Sequence, residues 1–444
     1  MSESPQVRAA RRRYVTVCVL FWLPPGLGLA PMIPLCTDRG MSLAAVAGFF
    51  AAHSLTAAAL ELPTGGLSDV LGRRAVLAAG GALSTVALIM VGLGTTAWVL
   101  TLGMVLKGAG RALASGPAEA WYVDTVHAHA GPGAELRTGL ARGSTATSGA
   151  LAAGILLGGA LPWLLGVVPG LGAGLREATS GAVPPLAVPV LLGAVVEAVF
   201  VGYVLAALRE PPRPRTGRRS VLRGIPATVA GGLRLGTRDA LVRRVLLSAA
   251  ATGSALAALE LLTPARAVAL TGTSESGAVL YAALACAGFV CAGAGSHLGS
   301  FAARAAGSGE RAVLAGLGAG AAGLLLLGVT AQAAQPYVMV LAGAGFCLVY
   351  LGLGVAGPSE NELLHRRVPS GGRATALSVQ SLALQLAGAL TGLVLGGLRS
   401  GPVPWLAAAA VLLSGALLWL RRPAADAEPE LTGPGVTGRV PEVR

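Results

Sequence analysis

The sequence predicts an all-α integral membrane protein, with twelve transmembrane helices in two pseudo-symmetric halves of six. Three observations carry the prediction. Hydrophobic residues make up 54% of the 444 residues and charged residues only 12%, whereas soluble chains average about 25% charged. Twelve apolar runs approach the roughly 20 residues that a helix needs to cross a bilayer. Arginines gather in alternate loops, the pattern that orients membrane helices. The 65 glycines fit the same reading, since they let membrane helices approach closely but weaken soluble ones.

The first six spans are expected at 14–33, 43–63, 75–94, 98–122, 142–165 and 184–208. The second six are expected at 245–264, 277–299, 313–332, 336–357, 375–396 and 404–420. Span 1 follows the basic run Arg8–Arg13 and imitates a signal peptide. Its apolar run to Ile33 is too long for one, however, and no A-x-A site follows. Pro24 and Pro25 should kink it. The divisions are a tail (1–13), a first bundle (14–208), a linker (209–244), a second bundle (245–420) and a disordered tail (421–444). The linker opens PPRPRTGRRS and continues with mixed apolar and basic residues; it suits either a helix on the anionic leaflet or a solvated connection.

With both termini in the cytoplasm, only Arg39, Arg176, Arg266 and Arg399 fall outside. The expected location is therefore the inner (cytoplasmic) membrane, in contact with its lipids. The net charge of +13 is spread over loops and forms no stripe with interleaved aromatics, which excludes nucleic acid as a partner. The five cysteines have no C-x-x-C spacing, and the five histidines form no H-E-x-x-H. No metal, catalytic residue or cofactor is expected, and the absence of G-x-x-x-x-G-K-[ST] excludes an ATP-driven pump on this chain.

Between spans 2 and 3 lies ELPTGGLSDVLGRR, from Glu61 to Arg74. Its Gly65, Asp69, Gly72, Arg73 and Arg74 closely resemble the signature loop of the major facilitator superfamily, although Val70 replaces the usual basic residue. The resemblance extends over about 14–420. It implies a gate at the cytoplasmic face, where Asp69 meets the start of helix 11 and Arg73 meets an acid ending helix 4. Asp124, in WYVD, stands where that acid belongs.

Arg111, within KGAGRALASG, is similar to the family's membrane arginine on helix 4. Lys107, Arg111, Ser115 and Glu119 recur every four residues and would share one helix face. A charge in mid-membrane costs about 2.5–3.5 kcal/mol even on translocon scales, so such residues should face a wet cavity and find partners. Four acids are candidates. Glu61 and Glu119 are placed in the cytoplasmic third, within reach of Arg111. Glu260 lies on helix 7, a cavity-lining helix in the family. Glu197 lies on helix 6, which packs peripherally there, and ranks last. Arg111 is expected to hold the charge balance while Glu61 or Glu119 exchanges the proton, with Glu260 next in line.

Gly154, Gly158 and Gly159 on helix 5 and Gly392, Gly396 and Gly397 on helix 11 repeat the form G-x-x-x-G-G. They are expected to pack helices closely in two parallel halves. Family antiporters have a proline where Ile155 stands, and the helix 8–9 loop from Gly295 to Arg304 has lost the aspartate of its counterpart.

The expected activity is proton-coupled efflux of a small, largely apolar molecule by alternating access. A monomer would use the proton gradient as its energy source. A metabolite importer of the same fold is the nearest alternative, and a non-transporting membrane scaffold or an intramembrane enzyme is more distant.

Overall fold

The computed structural model describes residues 4–420 except 115, 132, 211–238, 334 and 369–372, with side chains undescribed at 62–66, 69, 70, 300, 336 and 373–375. The first half contains α1 (Pro5–Leu29), α2 (Met32–Asp38), α3 (Leu43–Leu71), α4 (Arg73–Leu93), α5 (Ala97–Ala114), α6 (Pro117–Ala130), α7 (Arg137–Val167), α8 (Leu171–Ala178) and α9 (Ala187–Ala207). The second half contains α10 (Ala240–Thr271), α11 (Ser274–Ala305), α12 (Gly309–Val329), α13 (Pro336–Arg367), α14 (Arg373–Gly396) and α15 (Pro402–Leu417). Among the described residues, nine helices are long and apolar enough to cross a membrane, and α1 with α2 makes a tenth across a 43° bend. The other two expected crossings fall on α5, which carries Lys107 and Arg111, and on the 16-residue α15.

Three boundaries differ from expectation. Helix begins at Pro5, inside the expected tail, because Ser4 caps it by accepting the Val7 N–H at 3.3 Å. The break in span 1 falls at Ala30–Pro31 and not at Pro24–Pro25, which stay within α1. Span 4 is two helices: Gly116 takes φ +88°, which disfavours any side chain, and Pro117 starts α6. Residues 211–238 of the linker and the C-terminal tail lie outside the described residues.

The linker's expected end also moves, because Asp239 caps α10. Its Oδ1 accepts the N–H groups of Leu241 at 2.8 Å and Val242 at 3.1 Å, and its Oδ2 accepts Arg367 Nε at 2.5 Å. Burial alone would raise this carboxyl's pKa, but Arg367 and the two N–H groups outweigh it and hold the value below the ordinary 3.8. The cap is therefore fully effective above that ordinary value and is lost as pH falls through the lower folded one. At neutral pH Asp239→Ala is expected to lose about 1 kcal/mol, read as a lower melting temperature in detergent. That difference should shrink once the medium is acid enough to protonate the native carboxyl.

Helix pairing repeats between the halves. α1 packs on α7 as α10 packs on α14, α4 on α5 as α12 on α13, and α4 on α9 as α12 on α15. The halves meet through α7 with α11 and α3 with α14. Bare backbone makes the tightest of these contacts. A Cβ on Gly154 would lie 2.5 Å from the Leu23 carbonyl oxygen and 2.9 Å from the Gly26 Cα. Gly158 packs against Leu27 in the same way, and Gly159 crosses to Ala282 of the other half.

The repeated glycine string does not pack in the same register in α14. Gly396 meets Ala47 of α3, but a Cβ on Gly392 would find open space and one on Gly397 only ordinary contact, so neither makes a close packing position. The counterpart of the Gly26–Gly154 approach is Gly253 with Gly388, 3.1 Å from a Gly388 Cβ to the Gly253 oxygen. A second repeat is electrostatic. Arg39 donates to the terminal carbonyls of α4 at Val91 and Gly92, and Arg266 donates to those of α12 at Leu327 and Thr330. A cation at a helix C-terminus is favourable, and the interval from Gly26 to Arg39 equals that from Gly253 to Arg266.

Candidate functional site: a charged cavity between the halves

A cavity of about 390 Å³ lies between the two halves, walled by α1, α3, α4, α5, α9, α10 and α14. Most of its wall is apolar, including Phe21, Trp22, Pro24 and Pro25 of α1. The two prolines have no N–H to give the carbonyls one turn earlier, which leaves polar backbone near the cavity on the apolar stretch of α1. The ionisable wall residues are His53, Lys107, Arg111, Glu197 and Glu260. Lys107 lies within Coulombic range of Glu197, and Arg111 within that of Glu260 on the opposite half. Arg111 thus lines the cavity within Coulombic range of Lys107 in its own half and of Glu260 in the other.

The acids are arranged differently from the sequence reading. Glu197 lines the cavity, is 3% exposed, and its Oε2 has no hydrogen-bond partner among the described residues. Glu197 is therefore not at the periphery that the family resemblance implies. Its signal was present in the sequence: a lone acid within an apolar helix is too costly to face lipid. Glu119 does not line the cavity. The break at Gly116–Pro117 turns it out of register with Arg111, and it sits exposed on α6, in electrostatic contact with Tyr14 and Cys18 of α1. Glu61 is held across the halves, accepting Gln385 Nε2 of α14 at 3.3 Å.

In the α3–α4 turn, Gly72 adopts φ +92°, and a Cβ there would lie 2.8 Å from Glu210 Oε2. The positive φ favours glycine, whereas the Glu210 carboxylate, at the end of a flexible side chain, could give way to a Cβ. Glu210, which the sequence reading missed, accepts the Arg74 N–H at 2.5 Å at the start of α4, where the helix dipole favours an anion. Arg74 also donates to the Leu205 carbonyl. Arg73 Nη1 stands 2.9 Å from Asp124 Oδ2, an ion pair by distance and not an aligned hydrogen bond. The structure therefore brings Arg73 and Asp124 together, both within the first half. The Asp69 side chain, Gly65 and the residues before α14 lie outside what is described.

Described contacts between the halves also lie at the arginine-poor end. Ser274 Oγ donates to Asp38 at 2.6 Å, and Arg176 lies 3.9 Å from Glu275. Gly159 and Gly396 make their inter-half approaches toward the same end.

No curated protein matches the chain. Its backbone is similar to solved structures of transporters. The nucleoside transporter NupG superposes with a TM-score of 0.71 at 13% identity, over 93% of this chain and 98% of that one. A bacterial homologue of the human lysosomal transporter Spinster gives 0.67 at 16% identity, over 94% and 96%. A POT family transporter in complex with 5-aminolevulinic acid gives 0.69 at 14% identity, over 92% and 95%. At these identities the likeness establishes the fold alone. Residues 26–392 match the family model of the Major Facilitator Superfamily, and the chain belongs to that superfamily.

Proposed function

We propose that the protein is a proton-coupled exporter of a small, largely apolar molecule, working as a monomer by alternating access in the cytoplasmic membrane. Membership of the superfamily makes it a transporter rather than an enzyme. The observation that carries the finer reading is the largely apolar cavity between the halves, in which cations of one half face an acid of the other. An acid that gains a proton loses its attraction to Arg111, and this changes the relative energy of the states that bring the halves together or apart. Glu260 and Glu197 line the cavity and are the first candidates for that proton. Glu61, tied to Gln385, remains a candidate at the inter-half contact, and Glu119 stands behind all three.

The arginine-rich end is assigned to the cytoplasm. Reporter fusions after Ser220 and Arg422 should therefore read inside, and fusions after Gly174 and Ala334 outside. Transport is tested by efflux of a panel of apolar compounds from energised cells, with and without a protonophore. Energy-dependent efflux that collapses with the protonophore is the expected result. Efflux indifferent to the protonophore would remove the proton from the reading.

Import of a polar metabolite is the second reading, favoured by the five ionisable side chains in one cavity. Proton-driven accumulation of solute in cells carrying the gene would establish it over export.

A further inference from the structure

A second cavity, of about 230 Å³, lies inside the second half at the arginine-poor end, bounded by α10, α11, α12, α13 and α15. It is separate from the cavity between the halves. Its wall is apolar, with Leu280, Leu284, Phe346 and Trp405, except for Thr263 and Arg266. These two stand three residues apart on α10 and so share a face. Thr263 is 5% exposed, yet among the described residues its Oγ1 has no hydrogen-bond partner; Arg266 Nε is buried and has none there either.

The guanidinium of Arg266 donates only to neutral groups, the carbonyls of Leu327 and Thr330 and the hydroxyl of Thr330. Among the described residues it has no acidic partner. Capping α12 does not require the Thr263 hydroxyl, because at the same interval before Arg39 the first half carries the fully buried Cys36. Val340 of the wall is 73% exposed and Met339 36%, so the cavity borders the lipid-facing surface of α13. A Cβ on Gly343 would find only Leu284 Cδ2, at 3.7 Å, so the missing side chain leaves the space open.

We propose that this pocket binds a single-chain amphiphile with a carboxylate head, a fatty-acid anion entering from the bilayer. One carboxylate supplies the two acceptors that Arg266 Nε and Thr263 Oγ1 lack, and it neutralises a cation that its surroundings leave uncompensated. The volume equals that of roughly eight water molecules, enough for part of one alkyl chain and too little for two. The remaining methylenes would run out past Met339 and Val340.

The test uses the full chain in nanodiscs of zwitterionic lipid, titrated with an undecanoate brominated at its fifth carbon. That carbon lies in the part of the chain the pocket holds, so its bromine quenches Trp405 from inside. Saturable quenching that disappears in Trp405→Phe is expected. Gly343→Met, which fills the space, and Thr263→Val, which replaces the hydroxyl with a methyl, should each weaken binding by about tenfold without lowering the melting temperature. The corresponding bromo-alcohol should bind at least about tenfold more weakly than the carboxylate. Quenching that never saturates, or is equal in wild type and Gly343→Met, would mean simple partitioning into lipid and would overturn the proposal. So would equal affinity for the alcohol, or quenching by brominated phospholipid that the fatty acid does not displace.

Discussion

Arg111→Ala is expected to cut transport by about ten- to a hundredfold, the range of a coupling free energy of roughly 1–3 kcal/mol, while leaving insertion and folding intact. The reason is its position. Arg111 is exposed to the cavity, so removing it empties no packed core. Its charge lies within Coulombic range of Glu260 across the gap between the halves, and on the proposed reading its removal uncouples the halves from that acid's protonation. Glu260→Gln removes the other partner and should behave differently. It mimics the protonated acid permanently, so exchange of substrate across the membrane should continue while the response to a pH gradient vanishes. Counterflow and gradient-driven transport, measured on the same proteoliposomes, separate these outcomes. Glu197→Gln is the comparison, because it leaves Lys107 and not Arg111 without its acid. If Glu260→Gln keeps full pH-driven transport and Glu197→Gln loses it, the proton belongs to the α5–α9 pair. If both keep it, Glu61 becomes the carrier to test.

Arg73→Ala and Asp124→Asn should each lower transport by more than about tenfold, and the double variant should lose less than the two losses combined. Residues in direct contact couple by about 0.5–3 kcal/mol, and this pair is 2.9 Å apart and only 13% and 33% exposed. Both residues belong to the first half, so the pair does not break when the halves separate. We propose that it acts by positioning. Arg73 ties the start of α4 to α6 on one side, and Glu210 holds the Arg74 N–H on the other. Loosening either would let the α3–α4 turn drift from the place where Asp69 is proposed to gate the cytoplasmic end. Full additivity of the two single losses, measured as transport rates at equal protein level, would show that the residues act separately. Asp69→Asn should match the larger of them.

The sequence by itself determined the membrane class, the placement of the apolar spans, the parallel halves and the family. Each of these is written in local quantities: the transfer free energy of a run of side chains, the count of arginines in a loop, the spacing of Gly72, Arg73 and Arg74. The pairing of Arg73 with Asp124 was also legible, through the resemblance of the loop. What the sequence did not determine was which face of each helix looks inward. In water, hydrophobic periodicity marks the buried face; in a bilayer, lipid and protein interior are both apolar and the mark disappears. In its place, the family's peripheral helix 6 puts Glu197 last, and four-residue spacing along an unbroken helix puts Glu119 beside Arg111. Only the tertiary structure showed α9 turning Glu197 toward Lys107, and Gly116–Pro117 carrying Glu119 away. The glycine string failed in the same way: Gly392 repeats the letter of Gly154, but the backbone approach belongs to Gly388, because packing register is set by the partner helix and a glycine's own sequence neighbours cannot report it.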